Sequence, residues 1–102
     1  MKEISPQELY QLVTSQADIN IVDVRTKELY DEGHVPGAIH IPLSQIPDSL
    51  DQFDKDQHYY IICQKSIKSK EACQILSQHG YNVTNVSEGS PAYPGPMESS
   101  SK

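Results

Sequence analysis

The sequence has few cysteines and no long apolar run, and each shortage excludes a class of protein. Its two cysteines, Cys63 and Cys73, cannot form a disulfide framework or a four-cysteine zinc site. No run of about 18 apolar residues is present, so no transmembrane helix is expected. The first residues lack the apolar core of a signal peptide. Together with the free thiols, these features predict a protein of the reducing cytoplasm.

Positive charge is also scarce. Eight Lys and Arg residues stand against fourteen Asp and Glu residues, which gives a formal net charge of −6. That balance argues against nucleic acid or an anionic membrane as the main partner. With 36% hydrophobic and 22% charged residues, the 102-residue chain has the composition of one globular domain. We expect this domain to span residues 1–96, followed by a flexible tail over residues 97–102.

Short apolar runs alternate with helical patterns along the chain. Runs rich in Ile, Val or Tyr predict strands at residues 19–24, 38–41, 58–63 and 81–86. Helical spacing of apolar residues predicts helices near residues 6–16, 26–32 and 69–79, with a weaker one near residues 47–53. Ser5 and Glu8 form a capping box at the first helix. The alternation predicts an α/β fold with a mostly parallel sheet.

The most strand-like run of the chain ends at Cys63, and a polar loop and a helix start follow it. Ligands bind beyond the carboxyl ends of parallel strands, and Cys63 lies at such an end. Free amides and the dipole of the following helix favour a negative charge there, and the thiolate is the reactive form of cysteine. Lys65, Lys68 and Lys70 add positive charge. The pattern predicts a nucleophilic cysteine, although many free cysteines are only small buried residues.

Five separated stretches, in the same order, resemble the single-domain rhodaneses. They are residues 21–25, Glu28 with Tyr30, residues 33–43, the loop that begins at Cys63, and residues 88–95. The resemblance implies a rhodanese-like α/β fold with a mostly parallel five-stranded sheet flanked by helices. It also implies a thiosulfate-type sulfurtransferase, in which Cys63 accepts sulfane sulfur as a persulfide and passes it to a nucleophile. The implied partners are a small anionic sulfur donor and a thiol, cyanide or protein acceptor, without a cofactor.

The resemblance makes Cys63 the catalytic residue, and it places substrate binding on the loop residues Gln64, Lys65, Ser66, Ile67 and Lys68. Two of these positions depart from the family pattern, which has glycine where this chain has Ser66 and arginine where it has Lys68. If position 66 needs a positive φ, a serine there costs on the order of 1 kcal/mol or changes the shape of the loop. Lys68 keeps the charge but cannot bind an oxyanion in bidentate fashion.

Other interpretations remain open at this point. The domain could be a non-catalytic interaction or redox-sensing module. A phosphatase or arsenate reductase of the same fold type would close the loop with an arginine, and that position is Ser69. Cys73 could resolve an oxidised Cys63 or simply pack.

Several further side chains admit structural interpretations. Asp23 and Arg25 are best interpreted as a structural ion pair or as a tie to neighbouring loops. His34 and His40, six residues apart without a cysteine ligand, are weak evidence for metal and fit a turn and a strand. Tyr93 fits either the rim of a pocket or the core.

Overall fold

The computed structural model describes residues 2–15 and 18–100, and within them strands and helices alternate along the chain. The strands are β1 (Lys2–Ile4), β2 (Asn20–Asp23), β3 (Ile39–His40), β4 (His58–Ile62) and β5 (Asn82–Val86). The α-helices are α1 (Pro6–Ser15), α2 (Lys27–Glu32) and α3 (Ile67–Gln78). Short 3₁₀ segments span Leu43–Asp48, Leu50–Gln52 and Ser90–Ala92. No helix in the described ranges is long and apolar enough to cross a membrane.

The strands form one five-stranded sheet in the order β1-β5-β4-β2-β3, and every neighbouring pair is parallel. This confirms the predicted α/β fold. In the register of the two central strands, Asp23 of β2 lies beside Ile62 of β4. The Val24 amide continues the pairing by donating to the Ile62 carbonyl at 3.0 Å. The residues that follow β2 and β4, among them Arg25 and Cys63, therefore leave the sheet side by side.

Hydrophobic side chains pack on both faces of the sheet. Neighbouring residues of β4 alternate between the faces, so that Ile61 belongs to one cluster and Ile62 to the other. The first cluster packs under α3 and includes Val22, Val24, Ile46, Ala72, Cys73 and Leu76. The second includes Leu9, Ile21, Val35, Val86 and Tyr93. A sheet covered on both faces leaves its carboxyl edge as the natural place for a site.

A local sequence signal explains where α1 begins. The capping box at α1 is present, because the Ser5 amide donates to Glu8 Oε1 at 2.9 Å and the Glu8 amide donates to Ser5 Oγ at 3.0 Å. Two helical segments differ from the sequence prediction by more than a one-residue shift at an end. The weak helix near residue 47 consists of 3₁₀ segments, and α3 begins at Ile67, two residues earlier than predicted. The earlier start follows from the left-handed Ser66, which turns the chain directly into the helix.

The N-terminal strand β1 was missing from the sequence prediction. It has three residues, and its strand partner β5 is the last strand of the chain. A strand this short carries almost no periodic signal, so only pairing with β5 defines it.

The end of the chain makes backbone contacts with the α2 region. The Glu98 amide donates to the His34 carbonyl at 2.8 Å, and the His34 amide donates to the Glu98 carbonyl at 2.9 Å. The Ser100 amide donates to the Asp31 carbonyl at 2.9 Å. Residues 101 and 102 lie outside the described ranges. The mobility expected of residues 97–102 stays a prediction.

Candidate active site

Cys63 directly follows β4, and its sulfur lies against the first turn of α3. The Ser69 amide donates to Cys63 Sγ at 3.2 Å, and the Cys63 thiol is placed to donate to Ser69 Oγ at the same distance. Ser69 is the third residue of α3, so its amide is one of those that have no acceptor within the helix. No side chain at Ser66 caps this helix. The sulfur of Cys63 therefore takes the place of an N-cap oxygen.

The cysteine forms part of the wall of a cavity of about 260 Å³. Four of the predicted loop residues share this cavity with it, and two residues from the β2–α2 segment complete the lining: Gln64, Lys65, Ile67, Lys68, Arg25 and Leu29. Cys63 is only 1% exposed, so a reagent reaches its sulfur through this cavity. Ile67 is 71% exposed and forms an apolar part of the rim.

Ser66 is the predicted loop residue that does not line the cavity. It is buried, and its φ of 67° and ψ of 2° place it in the left-handed region. Of the two possibilities considered from the sequence, the loop keeps a positive φ at this position and does so with a serine. Its hydroxyl points away from the cavity and accepts a hydrogen bond from Asn85 Nδ2 at 2.9 Å.

The three lysines that follow Cys63 do not all lie at the cavity. Lys65 and Lys68 line the cavity and are exposed. Lys70 is not among the lining residues, and its Nζ lies 3.9 Å from Glu3 Oε2. Lys65 and Lys68 therefore supply positive charge to the cavity, and the role of Lys68 in binding a substrate stays a prediction.

Arg25 is a component of this site that the sequence analysis treated as structural only. It is buried, and its guanidinium bonds to Asp23 Oδ2 at 2.8 Å, which confirms the predicted ion pair. The same group donates to the Gly33 carbonyl at 2.7 Å and to Gln64 Oε1 at 3.3 Å. Arg25 therefore joins the β2 end, the α2 end and the Cys63 loop. The signal that could have revealed it is the parallel pairing of β2 with β4, which puts both strand ends at one edge.

The loop after β5 makes close backbone contacts with Cys63 and Gln64. The Ser90 amide donates to the Cys63 carbonyl at 2.8 Å. Gly89 has a φ of 79°, and a Cβ atom built there would lie 2.1 Å from the Gln64 carbonyl oxygen. This close approach requires glycine. Gly89 therefore positions the Cys63 loop and is not among the residues that line the cavity.

The other candidate residues named from the sequence pack against aromatic side chains. His34 and His40 stack on the ring of Tyr30, with ring centroids 3.8 and 4.6 Å apart. Tyr93 packs edge-on against Tyr10, and burial raises the pKa of Tyr93. Among residues 2–15 and 18–100, no three His, Cys, Asp or Glu side chains gather as metal ligands.

Cys73 of α3 is fully buried in the hydrophobic cluster between α3 and the sheet. Burial, followed by the charges of Cys63 and Glu3, raises the pKa of Cys73 to about 12. A thiol with this pKa is almost entirely protonated at neutral pH, and a protonated thiol is a poor nucleophile. The structure therefore supports the packing interpretation of Cys73 and not a resolving role.

Comparison with known proteins gives consistent matches. The family model of the rhodanese-like domain matches residues 5–94. A Bacillus subtilis (strain 168) protein, provisionally named a sulfurtransferase, is 34% identical over 93% of this chain and 92% of its own length. A protein of Allochromatium vinosum named sulfurtransferase is 32% identical over 87% of this chain and 84% of its own. The crystal structure of a rhodanese-like domain protein from Staphylococcus aureus has a TM-score of 0.91 at 36% identity and covers 99% of this chain and 100% of its own. These relatives support a sulfurtransferase-type role.

Proposed function

Because the chain belongs to the rhodanese-like domain family, we propose that it transfers sulfane sulfur through a persulfide on Cys63. The observation that carries this proposal is the position of Cys63 Sγ, 3.2 Å from the Ser69 amide in the wall of a cavity that Arg25, Lys65 and Lys68 also line. A helix amide and nearby cations stabilise negative charge on sulfur, both in the thiolate and in the persulfide.

The proposed reaction has two steps. In the first, the Cys63 thiolate attacks the outer sulfur of a donor such as thiosulfate, a new S–S bond forms, and the old S–S bond breaks. Sulfite leaves with the electron pair of the broken bond; from a persulfide donor, a thiolate leaves instead. In the second step an acceptor thiolate or cyanide attacks the terminal sulfur and Cys63 leaves as a thiolate. Neither step needs a general base once the cysteine is ionised.

The shape of the site favours small or slender substrates. Cys63 is 1% exposed, so its sulfur is reached only through a cavity of about 260 Å³. A small anion such as thiosulfate fits a space of this size, and the two lysines attract it in a protein whose net charge is −6. A protein acceptor would have to present its nucleophile on a protruding chain. A reducing compartment such as the cytoplasm would keep the thiol free.

The test is intact-mass measurement after exposure to thiosulfate or polysulfide. We expect the wild-type chain to gain one sulfur atom and to lose it on addition of cyanide or a thiol. Cys63→Ser should gain none, and Cys73→Ala should gain as much as the wild type. Lack of any gain with either donor would favour the non-catalytic or redox-sensing module.

A second arm tests the role of charge at the cavity. Lys68→Gln should slow loading by thiosulfate about two- to fivefold at low ionic strength, because one exposed cation contributes modestly to attraction of an anion. The matched control is Lys55→Gln, which removes an equal charge beside Tyr81, away from the residues that line the cavity. Equal effects from both variants would argue against a specific role for Lys68.

A further inference from the structure

Asn85 of β5 is fully buried behind the Cys63 loop, and both ends of its amide are hydrogen-bonded. Its Nδ2 donates to Glu3 Oε2 and to Ser66 Oγ, each at 2.9 Å, and its Oδ1 accepts from Ser69 Oγ. A carboxylate can only accept, so the amide nitrogen faces Glu3 and the amide oxygen faces Ser69. The parallel register pairs Glu3 of β1 directly with Asn85. The sheet itself therefore orients this side chain.

Ser66 holds a conformation that serine seldom adopts. Its φ of 67° lies in the left-handed region, where a side chain with a Cβ atom is strained and glycine is not. The Ser66 hydroxyl makes no capping bond to α3. Its bond to Asn85 is buried, so breaking that bond would leave polar groups of both residues without their partner. This bond compensates for the conformational strain at Ser66.

The same amide also holds the residue that contacts the sulfur. Ser69 donates its hydroxyl proton to Asn85, and its backbone amide donates to Cys63 Sγ. Asn85 thus bonds to two loop residues, three positions apart, that lie on either side of the start of α3.

We propose that Asn85 is a positioning residue for Cys63, a role that rests on the proposed function. By binding Ser66, it keeps the backbone of that residue at a positive φ. By binding Ser69, it keeps the Ser69 amide in the first turn of α3 directed at the Cys63 sulfur. Asn85 does for this loop what a glycine at position 66 would do by its conformational freedom alone.

The first test compares two substitutions at Ser66 and leaves Asn85 in place. Ser66→Ala keeps the strained Cβ atom and removes the hydroxyl, so the rate of sulfur loading by thiosulfate should fall about tenfold. Ser66→Gly removes the hydroxyl and the strain together, so it should load sulfur about fivefold faster than Ser66→Ala. A Ser66→Ala chain that loads as fast as the wild type would overturn the proposal.

The second test asks whether glycine at position 66 rescues the loss of Asn85. Asn85→Leu should lower the loading rate about tenfold, and adding Ser66→Gly should recover about threefold of that loss, because the Ser69 bond stays missing. A merely structural defect elsewhere in β5 would not respond to position 66. The matched control is Asn82→Leu on the same strand, whose amide bonds to the Lys55 carbonyl and not to the loop. If Asn85→Leu does not fold, the comparison at Ser66 decides.

A third readout does not depend on sulfur transfer. The NMR cross-peak between the amide and α protons of residue 66 is strong only at positive φ. We expect it in the wild type and in Asn82→Leu, and we expect it to weaken in Asn85→Leu and Ser66→Ala. If the wild type fails to load sulfur but these peaks change as described, the proposed function is wrong and Asn85 still holds the loop. Unchanged peaks in Asn85→Leu and Ser66→Ala would refute the inference about Asn85.

Discussion

The two cysteines are alike in exposure and belong to the same hydrophobic cluster, but their sulfur atoms have different partners. Cys63 is 1% exposed and Cys73 is 0% exposed. Cys63 has a helix amide on its sulfur and borders a cavity with three cationic side chains. Cys73 packs among apolar side chains, and burial is the main reason that its pKa is raised to about 12. Exposure alone therefore does not distinguish the two cysteines, but the immediate partners of their sulfur atoms do.

The largest expected effect is a difference in alkylation between these cysteines. In the native protein at pH 8, iodoacetamide should modify Cys63 and react with Cys73 on the order of 100-fold more slowly, because only the thiolate reacts. Peptide mass mapping after timed quenching measures both rates. In concentrated guanidinium chloride the two sites should react at similar rates, which serves as the control. Similar alkylation rates of Cys63 and Cys73 in the native protein would contradict the difference drawn between the two cysteines.

The next largest effect concerns the ion pair beside Cys63. Asp23→Asn leaves the buried Arg25 guanidinium without its carboxylate partner. Loss of one partner of a buried ion pair lowers the free energy of unfolding by roughly 3–5 kcal/mol, which urea denaturation measures. Lys27→Ala breaks the exposed Lys27–Asp31 pair and is the control, with no measurable change expected. A stable Asp23→Asn chain would mean that Gly33 and Gln64 suffice to hold Arg25.

The smallest effect, measured between pH 8 and about pH 10, is a pH dependence that comes from Cys73. Its pKa rises from an ordinary value of 9.0 to about 12 in the folded protein. Above pH 9 the unfolded chain therefore binds fewer protons than the folded one, and the free energy of unfolding falls as pH rises toward 12. Chemical denaturation of the wild type and of Cys73→Ala at several pH values isolates this contribution. Tyr30 and Tyr93, whose pKa values burial also raises, contribute equally to both chains. If the free energies of unfolding of the two chains change with pH in parallel, the pKa of Cys73 is not raised by folding.

Local patterns in the sequence predicted much of the fold. The strands β2 to β5 and the helices α1 to α3 all overlap the predicted segments, because apolar periodicity and capping residues act over a few neighbouring positions. Boundaries shifted where one residue had an unusual conformation, as at Ser66. The strand β1 was missed because pairing with β5, a partner about 80 residues away along the chain, is what defines its three residues.

The candidate site was predicted in part. The Cys63 loop was identified because a strand end, a cysteine and a helix start are consecutive in the chain. Arg25, Asn85 and Gly89 were not assigned to it. Arg25 follows β2, and Asn85 and Gly89 lie in and after β5, so they meet the loop only through the parallel register of the sheet. Long-range pairing leaves no local mark on these residues.

The sequence by itself determined the order of the elements, the position of Cys63 between a strand and a helix, and the acidic character of the chain. These depend on neighbouring residues and on composition. The tertiary structure decided which side chains outside the Cys63 loop line its cavity and which side chains hold the loop. Those properties depend on distances between segments far apart in the chain, and only the folded sheet sets such distances.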